Sequence, residues 1–211
     1  MSRICEFCHE LNCVCDKAAK PAIDVKRQLQ FFIEGGSVER FHTRPGLRAD
    51  TDGRHMHGVA VLCALLTGAP EVMPSANLLM EALSHDLGEQ AAGDVPAHVK
   101  DKLPGFREVL HELERSVRTS FNFDWSLYLT DDERTILELA DRMDCLLWCC
   151  REIALGNKNS LLVWRRSSAA LERVASAGLP VEIALRASNF YEAIKEIHAE
   201  AQSPSGPDFQ P

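Results

Sequence analysis

The chain has no long apolar run. Its longest, residues 59–66, falls well short of the roughly 20 residues that span a bilayer, so no membrane partner is expected. The opening MSRICEFCHE carries no hydrophobic stretch of the kind a secretory signal needs. A cytoplasmic protein with reduced cysteines is the expectation. Positive charge is short as well: 23 Lys and Arg stand against 31 Asp and Glu, a net charge of −8. That balance disfavours a broad grip on a nucleic-acid polymer, although a few local cations suffice for a small phosphorylated ligand. Gly and Pro are sparse inside the periodic segments, no repeats occur, and no segment reads as a strand. The expected fold is all-α, in one domain large enough to bury a real core.

Three parts are expected. Residues 1–20 are polar and hold Cys5, Cys8, Cys13 and Cys15 with His9 among them. Cys-x2-Cys followed by Cys-x-Cys offers four soft ligands to a structural zinc knot; the alternative is a tail with free thiols. Residues 21–202 carry the helical periodicity. Residues 203–211, SPSGPDFQP, have the composition of a disordered tail.

Within the middle part, residues 22–35 read as an amphipathic helix with Leu29, Phe32 and Ile33 inward. Further helices are expected at 53–68, from an N-cap at Ser75 to His85-Asp86, at 96–103, and at 106–121 through Val109, Leu110, Leu113 and Val117. A capping box at Thr130 and Glu133 opens a long helix to 156. Two more run from about 160 to 177 and from Pro180 to about 202. Cys63, Cys145, Cys149 and Cys150 fall at core positions and read as small apolar side chains.

Three of these helices share a polar anomaly. His55 lines up with Val59, Leu62 and Leu66; Asp86 falls in the arc of Leu78, Leu79, Ala82 and Leu83, with His85 at its edge; Asp141 lies between Leu137 and Trp148. A carboxylate aimed into a core is costly without a cation or hydrogen bonds. One such residue is ordinarily a satisfied core group, but several converging ones point to a metal site. A basic loop with Arg40, Arg44, Arg48 and Arg54, broken at Pro45-Gly46, leads straight into the His55 helix. Arginine forks beside a metal suit a phosphate ester, and Arg40 is the one singled out.

The ordered set resembles the HD-domain metal phosphohydrolases, and within them the YfbR-like 5′-deoxynucleotidases. It comprises Arg40-Phe41, His55 with Val59-Ala60, His85-Asp86 with Glu89, Gly93-Asp94 with Pro96 and Lys100, Ala140-Asp141, and Leu155-Gly156-Asn157. Phage deoxynucleoside triphosphohydrolases of the DatZ type share much of it. The resemblance implies an HD helical bundle in which His55, His85, Asp86 and Asp141 hold one divalent metal (Co, Mn, Zn, Fe or Mg). It also implies that Glu89 handles a proton, that Asp94 aids the leaving group or sugar hydroxyl, and that Arg40 and Lys100 hold phosphate. The implied reaction is hydrolysis at the 5′ O–P(α) bond of a deoxynucleotide, mono- or triphosphate, in deoxynucleotide pool metabolism. Arg44, Arg48 and Arg54 favour room for a longer phosphate chain, and a homo-oligomer is implied. Two departures stand out: Arg54-His55-Met56 where the family usually has Glu-His-Ser, and Phe41 where a ribose-excluding Trp is common. Phe41 reads equally as a deoxyribose contact and as core packing; Met56 and His57 read as helix-face residues rather than pocket lining. The competing function is a non-catalytic HD scaffold or regulatory module with a zinc-binding N-terminus.

Overall fold

The computed structural model describes residues 24–41, 46–100, 102–175 and 178–203. Cys5, Cys8, Cys13, Cys15, Arg44 and residues 204–211 lie outside them. The described residues are mostly helical, and the one β-pairing among them is an isolated bridge between Glu39 and Thr51.

In order, the helices are α1 (Val25–Gly36), α2 (Asp52–Thr67), α3 (Ala76–Ala82), α4 (Ala97–Lys100), α5 (Phe106–Ser120), α6 (Asp131–Ala154), α7 (Ser160–Ala175) and α8 (Val181–Ala201). Short 3-10 turns at Leu87–Ala91 and Ser126–Tyr128 join them. The chain specifies its own starts. Asp24, Thr51 and Ser75 cap α1, α2 and α3 through their side-chain oxygens, and Thr130 with Glu133 forms the capping box of α6.

The main core lies around α6, which packs on α2, α7 and α8. Val59, Cys63 and Leu66 of α2 meet Leu139, Met143 and Leu146 of α6, all fully buried. Cys149 and Cys150 are buried there too. A smaller core joins α1, the Leu87–Ala91 turn and α5 around Phe31, Met56 and Leu87. Phe31 stacks on Phe121 at 4.3 Å between ring centroids.

Helix α1 turns a different face inward from the one its pattern suggests. Leu29, Phe32 and Ile33 are 58%, 51% and 63% exposed, while Phe31 is buried. The inward stripe is Gln28, Phe31 and Gly35, set by close approach: a Cβ on Gly35 would meet Leu87 at 2.9 Å, and Gln28 donates to the Phe121 carbonyl. Likewise Val109 and Leu113 of α5 face solvent, and Leu110 faces in. Helix α3 stops at Ala82 rather than at Asp86. The Ser84 hydroxyl bonds to the Met80 and Phe123 carbonyls, the chain tightens, and Leu83 is left exposed. His85 and Asp86 therefore sit in the turn between α3 and the 3-10 segment. Residues 96–103 contribute only the short α4.

Candidate active site

The three anomalous segments meet. From α2, His55 is 1% exposed and points at α6. Its Nε2 lies 3.2 Å from Asp141 Oδ1 and 3.4 Å from Asp86 Oδ2. His85 Nε2 is also 3.4 Å from Asp86 Oδ2, and the ligand atoms of His55, His85 and Asp141 all lie within 4.8 Å of one another. The two imidazoles meet edge to face with centroids 5.3 Å apart.

Both rings have their outer nitrogen engaged. His85 Nδ1 is 2.9 Å from the Ala82 carbonyl and His55 Nδ1 is 2.7 Å from Asp144 Oδ2. Oxygen atoms of these kinds only accept, so each Nδ1 carries the hydrogen. Both Nε2 atoms are buried and lack a hydrogen-bond partner. Against burial and Arg40, hydrogen bonds to Asp141 and Asp144 and the charge of Asp86 raise His55 to about 10 in the metal-free chain. Displacing that proton leaves two nitrogens and two carboxylates facing one point, a donor set that suits a divalent metal. Spacings of 3.2–3.4 Å also match donors arranged about an ion at roughly 2.1 Å.

Charge around this centre is dense. Arg40 Nη1 donates to Asp86 Oδ2 at 2.7 Å and lies 3.4 Å from Asp52 Oδ1. Although burial pushes the other way, His85, Arg40 and His55 hold the Asp86 carboxyl down at about 2. Asp141 is held below the usual carboxylate range against the same opposition, chiefly by His55. Glu89, on the turn after Asp86, is 5% exposed. Burial, then Asp86, Asp52 and Asp94, push it up to about 10. Asp52 is fully buried and rises to about 7 for the same first reason.

A cleft of about 300 Å³ opens above these groups. Arg40, Phe41, Asp94 and Lys100 line it together with Asp86, Glu89 and Asp141. Lys100 Nζ is 3.7 Å from Glu89 Oε1. Asp94 accepts from the Phe41 backbone N–H at 3.0 Å, holding a residue whose φ is 56°. The Phe41 ring stacks on Trp148 at 3.9 Å and also faces the cleft, so both readings of that side chain apply.

The cleft is also lined by Arg107, Arg142 and Arg166, from α5, α6 and α7. Sequence reasoning missed them; each shares its helix with other arginines and reads as an ordinary surface residue. Arg54 was expected to extend the phosphate site, but it bonds Asp50 at 2.7 Å and lines a separate cavity behind α2 with His57. Arg48 is exposed outside the cleft. Cys145 is not a core thiol; it lines the cleft, 3.2 Å from the Ser167 hydroxyl. Met56 belongs to the smaller core. Asp144 and Asp52 were also missed. Asp144, three residues after Asp141 on the same face of α6, was the one with a readable signal.

The model of the YfbR-like 5′-deoxynucleotidase family matches residues 36–181, which spans every residue of this site. The chain belongs to that family. Solved structures of similar fold include the cyanophage S-2L HD phosphohydrolase DatZ, bound to dA and one catalytic Zn2+ ion. It is 19% identical, with a TM-score of 0.65 over 79% of this chain and 96% of the other. An HD-domain phosphohydrolase from Listeria innocua is 19% identical, with a TM-score of 0.65 over 84% and 92%. A conserved hypothetical protein from Pyrococcus furiosus is 21% identical, with a TM-score of 0.60 over 82% and 99%. No protein of curated function matches the chain. The fold is thus an all-α HD-domain bundle and the chain an HD-family phosphohydrolase. Among the described residues no helix is long and apolar enough to cross a membrane.

Proposed function

We propose that this protein hydrolyses 2′-deoxynucleotides between the 5′ oxygen and the α-phosphorus. The observation that carries the reading is the pair of unpartnered Nε2 atoms of His55 and His85, facing Asp86 and Asp141 beneath a cation-lined cleft. These four residues would hold one divalent cation; mixed imidazole and carboxylate ligation suits Mn, Fe, Co or Zn. Such an ion polarises the phosphoryl group and acidifies water beside it.

The chain's own groups do the rest. Arg40 and Lys100 take the phosphoryl oxygens, trading part of their pairing with Asp86 and Glu89 for it. Glu89 exchanges a proton with the attacking water or the departing 5′ oxygen; burial raises its carboxyl to about 10 in the metal-free chain, and a cation nearby pulls it back down. Asp94 fixes the backbone of Phe41, whose ring packs on the sugar. The dA bound in the DatZ structure supports a deoxynucleoside in this place.

Five cations line the cleft against the carboxylates of Asp86, Glu89, Asp94 and Asp141. With a divalent ion added, Arg107, Arg142 and Arg166 beyond Arg40 and Lys100 favour a triphosphate over a monophosphate. The expected products are deoxynucleoside and triphosphate. Incubating the full chain with Mn2+ or Co2+ and dATP, dAMP, ATP or AMP tests this: dATP should be turned over fastest and release intact triphosphate. Turnover of dAMP alone would replace the triphosphate reading with the nucleotidase. Metal binding with no hydrolysis of any nucleotide would favour the non-catalytic scaffold.

A further inference from the structure

Asp144 has no part in the reaction just described, yet two helices are shaped around it. Its Oδ2 accepts from His55 Nδ1 at 2.7 Å, and the pair is largely buried. On α2, three residues after His55, stands Gly58. A Cβ built there would lie 2.1 Å from Asp144 Oδ1 and 3.0 Å from Asp144 Cγ. Atoms cannot overlap to that degree, so any larger residue at 58 pushes the carboxylate away from the histidine. The φ of Gly58 is unremarkable; it is the missing side chain that matters. Asp144 also lines a cavity of about 200 Å³ with Arg54 and Arg151, yet its close ion-pair contact among the described residues is with His55.

A histidine can coordinate through either nitrogen, and the one it uses is set by the hydrogen bond on the other. We propose that Asp144 and Gly58 form a positioning pair: Asp144 fixes the tautomer and ring angle of His55 so that Nε2 faces the site, and Gly58 leaves the space for it. The pair sets how tightly the site holds a divalent cation. Asp144 itself does not touch the substrate. The inference rests on His55 serving as a ligand, as in the proposed function.

The test is titration of Mn2+ or Co2+ into the metal-stripped full chain with no nucleotide present. Asp144→Ala should weaken binding about 10- to 100-fold, the range typical of lost carboxylate support. Gly58→Ala should weaken it comparably while keeping every charge. Asp144→Asn, which retains an acceptor oxygen, should fall between wild type and Asp144→Ala. Glu112→Ala, removing an exposed carboxylate from α5, should change nothing. Binding by both alanine variants within twofold of wild type would overturn the proposal. Should those variants fail to fold by circular dichroism, 15N spectra of the Zn2+-loaded wild type decide instead. Zinc on His55 Nε2 with a hydrogen on Nδ1 supports the proposal, and zinc on Nδ1 overturns it. Metal bound in the expected way without nucleotide turnover would instead sink the hydrolase reading and leave this pair standing.

Discussion

The two cores of this protein deliver different parts of the site. The larger one holds α2 and α6 rigidly and presents His55, Asp141 and Asp144, side chains whose value lies in fixed direction. The smaller one, built on Phe31, Leu87 and Phe121, carries the turn with Asp86 and Glu89, and α5 with Arg107. Those groups pair with cations or move protons, and short turns suit them. In the proposed function, the first set would keep fixed directions, while Glu89 and Arg107 of the second would exchange partners during the reaction.

Breaking the rigid side should have the largest effect. His55→Ala should lose the metal and reduce kcat at least about 1000-fold, more than about 4 kcal/mol in the barrier, read as turnover with the metal content measured alongside. Retained metal and turnover would remove His55 from the ligand set.

The smaller core has its own fixed point. Arg118, 4% exposed, meets Glu81 Oε1 at 2.8 Å, and Glu81 Oε2 accepts from the Trp125 N–H. Arg118→Ala strands a buried carboxylate, which should cost about 3–5 kcal/mol and lower Tm by roughly 6–20 °C. A shift under a few degrees would mean that this side is too loose to hold Glu89 in place.

Glu89 sharpens the comparison through pH. In the folded metal-free chain its carboxyl is raised from 4.5 to about 10. A raised carboxyl contributes stability that is complete below the unfolded value and is lost as pH climbs from about 4.5 toward about 10. Glu89→Gln removes that loss. The metal-free variant should be more stable than wild type at pH 8 by about 1 kcal/mol or more, with the gap closing near pH 5, in denaturant titrations with chelator. A gap independent of pH would contradict the buried, protonated acid.

The mildest effect is on the outer face of α1. Leu29→Gln should stay within about 0.5 kcal/mol of wild type, whereas Phe31→Ala, two positions away, should cost about 3–5 kcal/mol. Equal losses would restore the face that periodicity alone suggests.

That last pair marks where sequence reading reached its limit. α2 and α6 were legible because the positions read as inward are buried, Val59, Leu62 and Leu66 on one and Ile136, Leu139 and Met143 on the other. α1 and α5 were misread because tertiary contact, not hydrophobicity, chose the residues that turn inward; Gly35 and Gln28 decide α1. The turn at His85-Asp86 was placed on a helix that ends at Ala82, yet its residues were identified correctly, since a short turn can carry them to the same point. Arg107, Arg142 and Arg166 of the cleft were invisible because they come from three separate helices. Asp144 could have been found: an acid one turn from Asp141, opposite a glycine one turn from His55, is a readable pairing.

The central claim is that His55, His85, Asp86 and Asp141 surround one cation. The most direct measurement is a crystal soaked in Mn2+ or Co2+ and recorded at the metal's absorption edge. The account predicts one anomalous peak at about 2.0–2.2 Å from both Nε2 atoms and from an oxygen of each aspartate. A peak bonded to neither histidine, or no peak at saturating metal, would contradict it.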